Sequence, residues 1–239
     1  MERLLQHLKQ GPTTRIGAFG SSNTQLGLHS RGRHNWVDWL DVGLGQHYGR
    51  VHHTINAGIS GDTSRGMLER FDQHVRLYQP HGVIVTCGGN DCNPENKVST
   101  GQFAENLRTI LRQCREMPDC TPVLQTYYSA DLCDIATSEP VRGQQFPAYM
   151  GVVREVAKET GTHLIDHLAR WERLRLGDTA DYRRLMLDFW HVNPIGNMVL
   201  GLDVLRHFGV TIGADMKALC AEGLAYQEKL DRLERGKAS

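Results

Sequence analysis

Short apolar runs separated by helix-like segments constrain this chain more than any other feature. Strands are read at 15–19 (RIGAF), 51–56 (VHHTIN), 82–87 (GVIVTC), 121–128 (TPVLQTYY) and 162–166 (THLID). Between them, apolar residues recur at helical spacing. Segment 33–49 turns Trp36, Val37, Leu40 and Leu44 inward, and 62–78 sets Met67, Leu68, Phe71, Val75 and Tyr78 on one face. Segment 100–117 does the same with Phe103, Leu107, Ile110 and Leu111; further helices are read at 146–161, where Gly161 is the stop, and at 194–209. Period 3.6 marks the helices, and short β-branched runs mark the strands. The alternation predicts a parallel sheet with helices on both faces, and continuous apolar strands fit burial on both sides. No repeat or low-complexity linker interrupts it, so residues 1–239 read as one domain. Its end, about 213–237, reads as a charged amphipathic helix carrying Leu219, Leu224, Leu230 and Leu233. Such a helix packs on the body or on another subunit, and the second option makes a homo-oligomer.

Charge and composition narrow the class. Lys+Arg and Asp+Glu are equal at 27 each, which is not the basic footprint of a nucleic-acid binder. No run approaches the ~20 apolar residues of a membrane span, and the N-terminal stretch lacks the apolar core of a signal peptide. The six cysteines (87, 92, 114, 120, 133 and 220) are scattered. They read as reduced thiols of a cytoplasmic protein. No C-x-x-C or paired Cys/His spacing suggests zinc, and His52 and His53, adjacent on a strand, face opposite ways. No metal and no organic cofactor is expected.

In an open parallel sheet, ligands bind beyond the carboxyl ends of the strands. GSSNTQ (20–25) follows the first strand, AGISGDTS (57–64) the second and GGNDCNP (88–94) the third. The loop DFWHVNPIGN (188–197) precedes the late helix, with Asn193 as N-cap and Pro194 in the first turn. All four segments should meet at one sheet edge. Ser21 or Ser22 then has a base in His191, which would take the hydroxyl proton, and Asp188 would hold the imidazole tautomer. Gly58, Gly61 and Asn90 offer backbone and amide donors for an oxyanion. Asp62 and Asp91 read as helix-capping or loop-bracing groups and Cys92 as a bland buried or loop thiol. Trp36, Trp39, Tyr127 and Tyr128 read as core, and Trp190 is the aromatic expected to touch substrate.

These segments resemble the four blocks of the SGNH hydrolases, or GDSL esterases. FGSSNTQLG is similar to the nucleophile block, usually G-D-S-x-[ST], and its alignment makes Ser22 the nucleophile. Ser21 stands where the family has Asp and stays a competing assignment. NAGISGDTS resembles the second block, whose glycine, here Gly61, gives an oxyanion N–H. GGNDCNP resembles the third, where Asn90 gives a side-chain donor. DFWHVNPIG resembles D-x-x-H-x-N, which makes Asp188 and His191 the other triad members. The resemblance runs from about residue 15 to 209. It implies a three-layer α/β/α flavodoxin-like sandwich with a five-stranded parallel sheet.

The activity expected is ester hydrolysis through an acyl-enzyme on Ser22, with the N–H groups of Ser22 and Gly61 and the Asn90 amide around the oxyanion. The partner is a small-molecule ester. Loops 90–100 and 129–145 are mostly polar, with Leu132, Ile135 and Val141 the chief exceptions. A long acyl chain gains about 0.8 kcal/mol per buried CH₂ only against apolar walls, so short acyl groups, acetyl first, on a carbohydrate-like alcohol are expected. Lysophospholipase or thioesterase action is the alternative, as is an inactive binding module on the same fold. A nucleotide-binding reading lacks its glycine-rich motif.

Overall fold

Five parallel strands run in the order β2-β1-β3-β4-β5, where β1 is Thr14–Gly20, β2 His52–Gly58, β3 Gly82–Thr86, β4 Thr121–Gln125 and β5 His163–Ile165. They belong to a computed structural model that describes residues 1–10, 13–25, 27, 29–49, 52–128, 130 and 138–236. The order reverses between β1 and β3, and such a switch point opens a crevice at the carboxyl ends of the strands. There Gly20 pairs with Gly58 on one side and with Thr86 on the other. The loops after β1, β2 and β3 therefore start side by side.

Side chains alternate across the sheet, as the strand period requires. Phe19, Val83, Val85 and Leu124 face one apolar layer, built with helices Thr100–Glu116 and Pro140–Thr160. Ile16, Ala18, Ile84 and Val123 face the other, built with Trp36–Tyr48 and Pro194–His207. Both layers cover a sheet whose β3 is buried at every residue. This is the α/β/α sandwich that the alternation predicts.

The structure departs from the sequence reading at several elements. The 62–78 segment is not one helix but Ser64–Glu69, Phe71–His74 and a 3₁₀ turn at Arg76–Tyr78. The break falls at Arg70, whose guanidinium turns back to Asp62 Oδ2 (2.6 Å) and to the carbonyls of Ala57 and Gly20 (2.9 Å each). Tyr78, expected inward, is exposed. The helix expected from 146 begins at Pro140 and runs through Pro147. Helices Glu2–Gln10 and His167–Gly177 were not foreseen; the first is anchored by Leu4 and Leu8, each 1% exposed.

The C-terminal helix is two pieces, Ala214–Leu219 and Ala221–Arg235, divided at Cys220. The second piece packs on the body. Arg170 bonds Gln227 Oε1 and Asp231 Oδ1, each at 2.7 Å, and also Glu234, while Gln227 Nε2 donates to the Val199 carbonyl. The five cysteines within the described residues are free and buried. Cys133, Leu132 and Ile135 lie outside the described residues.

Candidate active site

The chain leaves β1 in a tight turn in which the N–H groups of Thr24 and Gln25 both donate to the Ser21 carbonyl. The turn points the two serines in different directions. Ser21 is 1% exposed, and its Oγ lies 2.7 Å from the Tyr127 hydroxyl, in the interior. Ser22 Oγ lies 2.9 Å from His191 Nε2. The two serines, alternatives in the sequence, thus have distinct partners.

His191 is placed by the Asp188 loop. Its Nδ1 lies 2.9 Å from Asp188 Oδ2, while Asp188 Oδ1 accepts the backbone N–H groups of Trp190 and His191, both at 2.7 Å. The loop is tied down at both ends. Asn193 caps the next helix, its Oδ1 taking the N–H groups of Ile195 and Gly196. Tyr128 Oη lies 2.7 Å from the Trp190 carbonyl and accepts the Val192 N–H at 3.1 Å. Burial pushes the Asp188 carboxyl up, but the bond to His191, the His191 charge and the two backbone N–H groups outweigh it and hold it at about 2. Asp188 is therefore an anion at any ordinary pH.

The second and third loops meet at Asn90. Its Nδ2 donates to the Asp62 carbonyl at 2.8 Å, and its own carbonyl takes the Asn96 amide at 2.8 Å. Gly61, next to Asp62, has φ +78° with open space where a Cβ would stand. Glycine is needed there for its left-handed backbone and not for close packing. Asp91 is buried and joins the two loops: it accepts Ser64 N–H (2.9 Å), Ser64 Oγ (2.5 Å) and Gly88 N–H (3.1 Å). Burial raises its pKa against those bonds. Asp62 braces Arg70, so both acids do the structural work read from the sequence.

One expectation about apolar contacts changes, and Gly89 shows why: a Cβ there would meet Tyr127 at 2.8 Å and Trp190 at 2.9 Å. The room is taken by the protein's own aromatics. Trp190, expected against substrate, is 5% exposed and packs on Phe146 and Tyr127, with ring centroids 5.2 and 6.0 Å apart. It supports the loop from within because the Tyr128 bond draws its backbone inward. Cys92 stays a protonated, inert thiol, since burial pushes it up to about 12.

His29 and Arg142 carry no motif, and spacing gave no signal for either. The His29 ring stacks on His191, and Arg142 reaches Asn90. His29, Asp188 and His191 are the residues among those described that bring three metal-type ligand atoms within 4.8 Å of one another. The ring planes lie within 8° of parallel and their centroids 3.7 Å apart. Imidazole lone pairs lie in the ring plane, so an ion about 2 Å from both nitrogens would sit well out of at least one plane. The cluster suits a stacked base better than a metal centre.

A serine hydroxyl bonded to an imidazole, itself bonded to a carboxylate, is the arrangement needed to activate an oxygen nucleophile. An amide and a left-handed glycine stand on adjoining loops. A model of the GDSL-like lipase/acylhydrolase family matches residues 18–199. The chain is 26% identical over 209 residues to a Bacillus subtilis (strain 168) protein named uncharacterized lipoprotein YqeF, covering 76% of this chain and 81% of that one. It is 24% identical over 163 residues to an acetylxylan esterase of Geobacillus stearothermophilus, covering 65% and 71%. The crystal structure of Axe2, an acetylxylan esterase from Geobacillus stearothermophilus, superposes with a TM-score of 0.70 at 23% identity, over 85% of this chain and 97% of that one.

Proposed function

The chain belongs to the GDSL-like lipase/acylhydrolase family, and on that premise we propose a serine esterase that removes short acyl groups, acetyl foremost, from polar alcohols such as carbohydrates. As a member it is a carboxylic ester hydrolase. One observation carries the mechanism: the continuous chain from Ser22 Oγ through His191 to Asp188, with 2.9 Å at each link.

Ser22 Oγ attacks the ester carbonyl as His191 Nε2 takes its proton. Asp188, an anion throughout, keeps the Nδ1 proton facing it and stabilises the imidazolium. The carbonyl oxygen becomes an oxyanion, received by the N–H groups of Ser22 and Gly61 and by the Asn90 amide. His191 returns its proton to the departing alcohol. Water, deprotonated by the same ring, then attacks the acyl-enzyme and frees Ser22. No step draws on a metal or an organic cofactor. The small-molecule ester is the only partner the chemistry requires.

The acetyl preference is supported by two points. A sequence relative and a solved structure, both from Geobacillus stearothermophilus, are named acetylxylan esterase. The loop 90–100 is mostly polar and offers little wall to an alkyl chain. A series of nitrophenyl esters from acetate to decanoate, beside acetylated sugars, tests it. Acetate and the sugar acetates should give the highest kcat/KM. A steady rise to octanoate or decanoate would replace the reading with a lysophospholipase- or thioesterase-like one. The free thiols favour a reducing compartment, and we place the enzyme in the cytoplasm; fractionation of cells producing the native chain tests that.

A further inference from the structure

We propose that Arg142 is a positioning residue that fixes and polarises the Asn90 amide for the oxyanion, a role that rests on the esterase reading above. Arg142 lies in the first turn of Pro140–Thr160, where a cation opposes the helix dipole. Its place there is set by what it reaches. Nη2 donates to Asn90 Oδ1 at 3.1 Å, Nε to the Gly89 carbonyl at 3.0 Å and Nη1 to Glu139 Oε2 at 2.7 Å. The guanidinium carbon stands 4.1 Å from the centre of the Trp190 ring. The side chain is 11% exposed.

These contacts solve a specific problem. An Asn amide has two nearly isosteric ends, and only the NH₂ end serves an oxyanion. With Arg142 on Oδ1 and the Asp62 carbonyl on Nδ2, a flipped amide would set NH₂ against a cation and oxygen against oxygen. One Asn90 N–H is used by Asp62, and the orientation leaves the second for the substrate. A charge-assisted bond to Oδ1 also draws electron density from the amide nitrogen and strengthens that N–H as a donor. The same guanidinium caps Trp190, two residues after Asp188, so one planar group touches the oxyanion side and the base side. Lysine cannot do this, because an ammonium lacks the flat fork that bonds and stacks at once.

The test is a double-mutant cycle on kcat with an acetyl ester, using Arg142→Met, Asn90→Ala and the double variant, each checked for cooperative melting. Arg142→Met should lower kcat about tenfold with KM within about twofold, a transition-state effect. Arg142→Lys should recover little of the loss. In the Asn90→Ala background, Arg142→Met should cost less than about twofold, because its target is gone. Equal losses in both backgrounds would overturn the proposal and leave Arg142 as a packing residue. A near-normal kcat for Asn90→Ala alone would instead remove Asn90 from the oxyanion site, and Arg142's role with it.

Discussion

The His29 imidazole lies flat on that of His191, with ring centroids 3.7 Å apart and planes within 8°. Burial first, and the His191 charge second, lower the His29 pKa, against a smaller upward pull from Asp188. His29 is thus favoured in its neutral form beside a ring that becomes cationic in the proposed reaction. A neutral flat neighbour holds His191 in the plane that joins Ser22 to Asp188. We expect His29→Phe, which keeps a flat ring, to retain kcat/KM within about threefold. His29→Ala should lose about tenfold, short of the ~10²-fold cost of a 1 Å misplacement. Equal activity in the two variants would show that the stack does not position the base.

Asp188 should matter as an anion. Asp188→Asn keeps the shape but removes the charge and favours the wrong imidazole tautomer, and the expected cost is about 10⁴ in kcat. The wild-type carboxyl sits at about 2, so loss of activity on acidification to about pH 5 cannot come from its protonation. Its contribution to stability follows the same sign. It is present above the unfolded value of about 3.9 and is lost only as pH falls toward 2. A pH–rate profile of the wild type and of Asp188→Asn checks both points.

His207 should make the fold acid-sensitive in a higher window. Its Nδ1 lies 3.0 Å from His163 Nε2, and burial, then the His163 and His167 charges, bring it down to about 4. The unfolded chain takes up this proton near 6.5, before the folded chain does. Stability is therefore full above about 6.5 and falls as pH drops toward 4. His207→Gln should shrink the loss of Tm between pH 7 and pH 5. An unchanged loss would assign the acid sensitivity elsewhere.

Much of this architecture was legible in the sequence because it is carried by local pattern. The five strands and the helices after β1, β3 and β4 follow from apolar period, three of the loops follow from their place at strand ends, and the fourth follows from its place before the late helix. The 62–78 helix failed because Arg70 is recruited by carbonyls some 13 and 50 residues away, a tertiary demand that no local period contains. Trp190 failed for a related reason: the Tyr128 hydroxyl and Arg142, both distant in sequence, turn it inward. His29 and Arg142 could not be found at all. A ring stack and a guanidinium bond leave no spacing in the chain, whereas the Asp188/His191 pair is written three residues apart.

The proposed mechanism turns on Ser22 as the nucleophile. It is tested most directly by treating the folded protein with a fluorophosphonate and mapping the modified peptide by mass spectrometry. We expect one adduct on Ser22, no adduct in Ser22→Ala, and normal labelling in Ser21→Ala, whose lost buried bond to Tyr127 should cost about 1–3 kcal/mol of stability. Full labelling of Ser22→Ala, or an adduct on Ser21, would contradict the account.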